Sequence, residues 1–93
     1  MMNKYDIVQS SRFKKDYRLI RKRNHDITRL NDAIDILSRG EQLPPHYFDH
    51  PLKGDYKGCR ECHITPDWLL IYKVIEDKLL IRLMRTGTHS DLF

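Results

Sequence analysis

No apolar stretch in this chain approaches the roughly 20 residues needed to cross a bilayer, so a helical membrane span is excluded and no membrane partner is expected. The opening residues, Met1-Met2-Asn3-Lys4-Tyr5-Asp6, lack the apolar segment of a signal peptide, and a cytoplasmic protein is expected. Cysteine is scarce. Cys59 and Cys62 are the whole complement, too few for the disulfide framework of a small secreted domain. Repeats, low-complexity tracts and linkers are missing as well. The 93 residues therefore read as one domain, 1–93, long enough to bury about 60–70% of its unfolded surface. At 40% hydrophobic and 32% charged residues, the composition is globular rather than disordered.

Acidic residues are nearly absent from the first quarter. Residues 1–23 hold eight Lys/Arg against two Asp, a local charge of +6, while residues 24–93 carry −2. A basic end steers a protein toward polyanions and gives salt-sensitive affinity for nucleic acid, although a lysine-rich helix can also be just a solvated face. The two cysteines form Cys59-Arg60-Glu61-Cys62 with His63 directly after, the C-x-x-C-H pattern of covalent haem attachment and half of a zinc site. Haem of that kind belongs to exported chains, and zinc wants four ligands where no second C-x-x-C exists. In an extended segment the two thiols also point to opposite faces, so reduced thiols are expected here, with no cofactor and no metal.

Tyr5-Asp6-Ile7-Val8 reads as an opening strand. Ser10 or Ser11 can cap a following helix, on which Phe13, Tyr17 and Ile20 form one apolar stripe and Arg12, Lys14, Lys15, Arg18, Arg21, Lys22 and Arg23 supply the rest. Asn24-His25-Asp26 interrupts it, and Asp26 is suited to cap a second helix bearing Ile27, Leu30, Ile34 and Leu37, with Gly40 at its C′ position. The short break predicts an antiparallel helical hairpin. Leu43-Pro44-Pro45 ends the helix, and residues 44–57 read as a long ordered loop, a length more often functional than idle. Strands are expected at 58–64, 68–75 and 79–85, of which Trp68–Tyr72 is the longest unbroken apolar run and hence the sheet's centre. Tight connections make these late strands antiparallel. The expected fold is α+β, β-α-α-β-β-β, a four-stranded antiparallel sheet with the helices on one face.

Pairing of the last two strands as a hairpin would bring the start of one beside the end of the other. His63, Asp67, Arg85 and His89 would then converge on one edge, with His50 contributed by the long loop. Imidazoles give and take protons near neutral pH, and a guanidinium neutralises charge building on a phosphoryl group. Such a set is what metal-free RNA cleavage needs, since the RNA's own 2′-hydroxyl serves as nucleophile. His25 and His46 are read as structural.

Three segments carry a resemblance: Asp49-His50-Pro51-Leu52-Lys53-Gly54, then His63-Ile64-Thr65-Pro66-Asp67-Trp68-Leu69-Leu70-Ile71-Tyr72-Lys73, then Arg85-Thr86-Gly87-Thr88-His89-Ser90-Asp91-Leu92-Phe93. In this order and spacing they resemble the RelE/YafQ-type mRNA interferases, toxins of bacterial toxin–antitoxin pairs, over nearly the whole chain. The resemblance implies a RelE-like fold and ribosome-dependent, metal-independent cleavage of mRNA in the ribosomal A site. It implies His50, His63, Asp67 and His89 as the acid/base set and Arg85 as the phosphate clamp. Trp68 and Phe93 would shape the site or stack on RNA. Lys53 and the basic helix residues Arg12, Lys14, Lys15, Arg18, Arg21 and Lys22 would hold RNA. The implied partners are the ribosome, mRNA and a small DinJ-like antitoxin, the chain being a monomer when free of it. The competing reading is a ParE-type toxin on the same scaffold that binds gyrase and has no use for proton-transfer groups.

Overall fold

A computed structural model of the protein describes residues 3–93. β1 (Asp6–Gln9) leads into α1 (Ser11–Lys22), whose first free amides are met by Ser10, its hydroxyl accepting from the Phe13 N–H at 3.0 Å. Arg21 and Lys22 sit in the last turn, where the helix dipole favours cations. α2 (Ile27–Ser38) starts at the Asp26 cap, which accepts from the Thr28 N–H at 3.1 Å. It ends before Gly40, whose φ of +75° is the left-handed value glycine supplies at C′. Both caps and the helical hairpin follow the sequence pattern.

Four strands complete the sheet: β2 (His50–Pro51), β3 (Arg60–Thr65), β4 (Trp68–Ile75) and β5 (Leu80–Thr88), with a final turn of helix, α3 (His89–Leu92), behind them. The order across the sheet is β1-β5-β4-β3-β2. The expected α+β architecture is present with two corrections. The sheet has five strands, because the long loop lends two residues to β3 as β2, His50 opposite Glu61 and Pro51 opposite Arg60. It is also mixed: β1 lies parallel to β5, Asp6 opposite Leu80 through Gln9 opposite Leu83. Tight turns force the direction of β3, β4 and β5, but nothing short joins β1 to its neighbour, so connectivity alone left its direction open.

β5 also runs to Thr88, taking Arg85-Thr86-Gly87-Thr88 into the strand. Polar Thr86 is tolerated there because its hydroxyl donates to the Leu69 carbonyl at 2.8 Å and accepts from the Trp68 indole N–H at 2.9 Å. A bulge lies within the β4–β5 pair: Ile71 faces Arg85 while Tyr72 faces Leu83, leaving Met84 as the extra residue. The side-chain alternation shifts by one at that point. Beyond β1, α1 covers the free edge of β5. Ser10 reaches the Leu83 and Met84 carbonyls, and the Asp16 carboxylate accepts from the Thr86 N–H at 3.1 Å.

The main core lies between the sheet and the helices, built from Phe13, Ile20, Leu30, Ala33 and Leu37 against Cys62, Ile64, Trp68, Leu70, Tyr72, Ile81 and Leu83. The other face carries a small second cluster, Cys59, Leu69, Ile71 and Leu92 with Leu52, Tyr56 and Met84 beside it. The 44–57 loop and α3 fold over that face and partly cover it. Cys59 and Cys62 belong to opposite clusters, so their thiols cannot share one metal or one haem. Burial pushes the Cys62 thiol far above its ordinary range, which keeps it protonated.

Candidate active site

Register brings the predicted residues to one end of the sheet. Trp68 opens β4 opposite Thr88 of β5, so Asp67 and His89 flank the same pair. On β3, Glu61 and His63 alternate with the core residues Cys62 and Ile64 and therefore point away from the helices. β2 sets His50 directly opposite Glu61. The three imidazoles consequently form a line, with ring centres 6.2 Å apart from His50 to His63 and 5.9 Å from His63 to His89.

A carboxylate touches each end. His89 Nδ1 lies 3.4 Å from Asp67 Oδ1, both exposed at the rim. At the other end Glu61 Oε2 lies 3.1 Å from His50 Nε2 and 3.9 Å from His63 Nε2. His50 Nδ1 is 2.8 Å from the Phe48 carbonyl, which can only accept, so the Nδ1 proton is committed there. The short Nε2–Oε2 contact then needs a second proton between imidazole and carboxylate. Glu61 is 5% exposed, and its Oε1 has no hydrogen-bond partner among the described residues. Sequence reasoning missed this residue, whose signal was its parity: two positions before His63 on one strand means the same face.

The loop that carries His50 is pinned from behind. Asp49 accepts from the Tyr72 hydroxyl at 2.8 Å and from Arg60 Nε at 3.2 Å. Burial first, and the Asp49 carboxylate second, raise the Tyr72 phenol well above its usual range, so it remains a donor.

Arg85 stands beside the line rather than in it. Its guanidinium forks onto Asp16, Nε to Oδ2 at 2.7 Å and Nη2 to Oδ1 at 3.1 Å, and Nη1 donates to the Tyr56 hydroxyl at 3.4 Å. The Asp16 hydrogen bonds raise its pKa further, and two of its five N–H groups remain free for a phosphate. Arg85, Arg12, Lys53, Tyr56 and Phe93 line a hollow of about 620 Å³. Phe93 joins this hollow to the imidazoles, 5.8 Å from the Tyr56 ring and 6.5 Å from that of His89.

Trp68 must be moved out of the substrate-contacting set. It is 1% exposed, packed in the main core and against His25 at 5.0 Å, and can shape the site only from beneath. Lys14, Lys15, Arg18, Arg21 and Lys22 are exposed along α1 and take no part in the imidazole line or the hollow. His46 lies against Tyr47, ring centres 4.4 Å apart and tilted by 32°, and borders a small hollow with Phe48 and His63. His50, Glu61 and His63 offer ligand atoms within 4.8 Å of one another, a set able to hold a transition-metal ion.

A mixed sheet of this order under a helical hairpin is the RelE-like toxin scaffold, and known structures overlay on it closely. The chain belongs to the YafQ family of bacterial toxins of type II toxin–antitoxin systems, whose family model spans residues 5–93. It is 47% identical over 89 residues to the mRNA interferase toxin YafQ of Escherichia coli K12, covering 95% of each chain. That name agrees with the endoribonuclease expected from the sequence. YafQ in the E. coli DinJ–YafQ toxin–antitoxin complex matches with a TM-score of 0.88 at 43% identity, over 97% of this chain and 98% of that one. A metal-bound toxin from Helicobacter pylori matches with a TM-score of 0.90 at 39% identity, over 96% and 99%.

Proposed function

We propose that the domain of residues 1–93 is a cytoplasmic, ribosome-dependent and metal-independent endoribonuclease that cuts mRNA in the ribosomal A site. A small DinJ-like antitoxin silences it, and free of that partner it is a monomer. The observation carrying this is the imidazole line with a carboxylate at each end. Displacement at phosphorus needs a proton taken on one side and given on the other. One imidazole of the line takes the proton of the 2′-hydroxyl, O2′ attacks phosphorus, and the P–O5′ bond breaks. A protonated imidazole delivers its proton to the leaving O5′, giving a 2′,3′-cyclic phosphate and a 5′-hydroxyl. Glu61 and Asp67 orient the end imidazoles and stabilise their charged forms. Arg85 neutralises charge on the phosphoryl oxygens.

The test is primer extension on an mRNA translated by purified ribosomes. Loss of a positioned acid or base costs about 10²–10⁴-fold, so His63→Gln and His89→Gln should each slow cleavage by at least 100-fold while melting temperature and antitoxin binding hold. Full-rate cleavage by both variants removes the imidazoles from the mechanism. Intact message with broken DNA in expressing cells would instead favour the gyrase-binding reading.

A further inference from the structure

We propose a second nucleobase subsite beside His63, the middle imidazole of the line, with Phe48 as its stacking platform; the proposal rests on the ribonuclease reading above. Phe48 is 68% exposed, more than any other large apolar side chain among the described residues. Its φ is +49°, the left-handed value that ends the 3-10 turn Pro45–Tyr47, where its N–H donates to the Pro45 carbonyl. Its ring packs into neither core cluster. The same residue's carbonyl fixes His50 Nδ1, and its ring stands edge-on to His63 at 5.8 Å and 72°. One residue thus orients one imidazole of the line and places a bare aromatic face beside another.

Phe48, His63, Thr65, Pro66 and Arg29 bound a hollow of about 300 Å³, at the small end of ligand sites and suited to a single base. Arg29 at its rim is 3.9 Å from Asp26, its one ion pair among the described residues, and its exposed head can meet a phosphate. The hollow near His89 repeats the arrangement, with Phe93 65% exposed beside Arg12, Lys53 and Arg85. An exposed aromatic and an arginine therefore stand near the line at two places, beside His63 and beside His89. A single RNA strand crossing it would stack one base on Phe93 and another on Phe48, with the scissile phosphate between. Stacking tolerates any base, while the walls of the small hollow select among them.

The experiment compares wild type, Phe48→Asn and Phe48→Trp by cleavage mapping on ribosome-bound mRNAs with the bases around the cut varied. Asparagine accepts the left-handed backbone without a ring, so it separates platform from fold. The expected result is a 5- to 100-fold lower kcat/KM for Phe48→Asn with changed base preference next to the cut, and restoration by Phe48→Trp. Wild-type rates and preference in Phe48→Asn overturn the subsite, as does loss of antitoxin binding with unchanged cleavage, which would make Phe48 a protein contact. If wild type itself leaves the message intact, it is the ribonuclease reading that fails.

Discussion

Glu61 touches two imidazoles through Oε2, and its Oε1 has no partner among the described residues. A buried acceptor left unpaired costs about 1–3 kcal/mol, so the fold holds this carboxylate at a loss. Glu61→Leu should therefore keep or raise the melting temperature while cleavage falls by at least tenfold, measured on one preparation by thermal unfolding and primer extension. A lower melting temperature with normal cleavage would make Glu61 a structural residue. The same neighbourhood predicts the response to metal. Zinc or copper bound by His50, Glu61 and His63 would occupy the lone pairs that move protons. Added Zn²⁺ should slow cleavage, and a chelator should restore the untreated rate; stimulation by Zn²⁺ would overturn metal independence.

At the scale of elements, α3 holds His89 through a cap. Thr88 and Asp91 exchange hydrogen bonds in a capping box, and Arg23 of the helical hairpin clamps Asp91 at 2.7 Å. The Arg23 hydrogen bond, with those from Thr88, lowers the Asp91 carboxyl from 3.8 to about 2. The folded value lies below the unfolded one, so this support is complete above about pH 4 and is lost as pH falls toward 2. Amide exchange at residues 89–92 should accelerate over that window, and Asp91→Asn should show the faster exchange already at neutral pH. Much of this level was legible in the sequence. Ser10 and Asp26 announce their helices because a side-chain oxygen before an apolar stripe has one obvious use, and the Trp68–Tyr72 run could only be a central strand. The direction of β1 was not legible, since it depends on a pairing across the whole chain. At the site, the histidines and Asp67 could be read from residue type and register. Glu61 was hidden inside the C-x-x-C pattern, and Phe48, Tyr56 and Asp16 act through positions that only the folded backbone sets.

Across the whole molecule, charge and chemistry occupy different places. The exposed cations of α1 lie outside the imidazole line, so under the proposed function they would contribute binding without touching the bond that breaks. Each phosphate contact adds about 0.7–0.9 to the slope of log affinity against log salt. Replacing Lys14, Lys15 and Arg18 by Gln should flatten the salt dependence of ribosome binding by about two units while leaving single-turnover cleavage at saturation unchanged. An unaltered slope would mean that α1 faces solvent in the complex. The sheet divides labour in a similar way: nearly all the buried apolar side chains lie beneath the helices, and the imidazoles stand on the opposite surface above a cluster of four. Descendants of this scaffold can accordingly drift in what they cut, or cease cutting altogether, while the part that folds them is inherited unchanged.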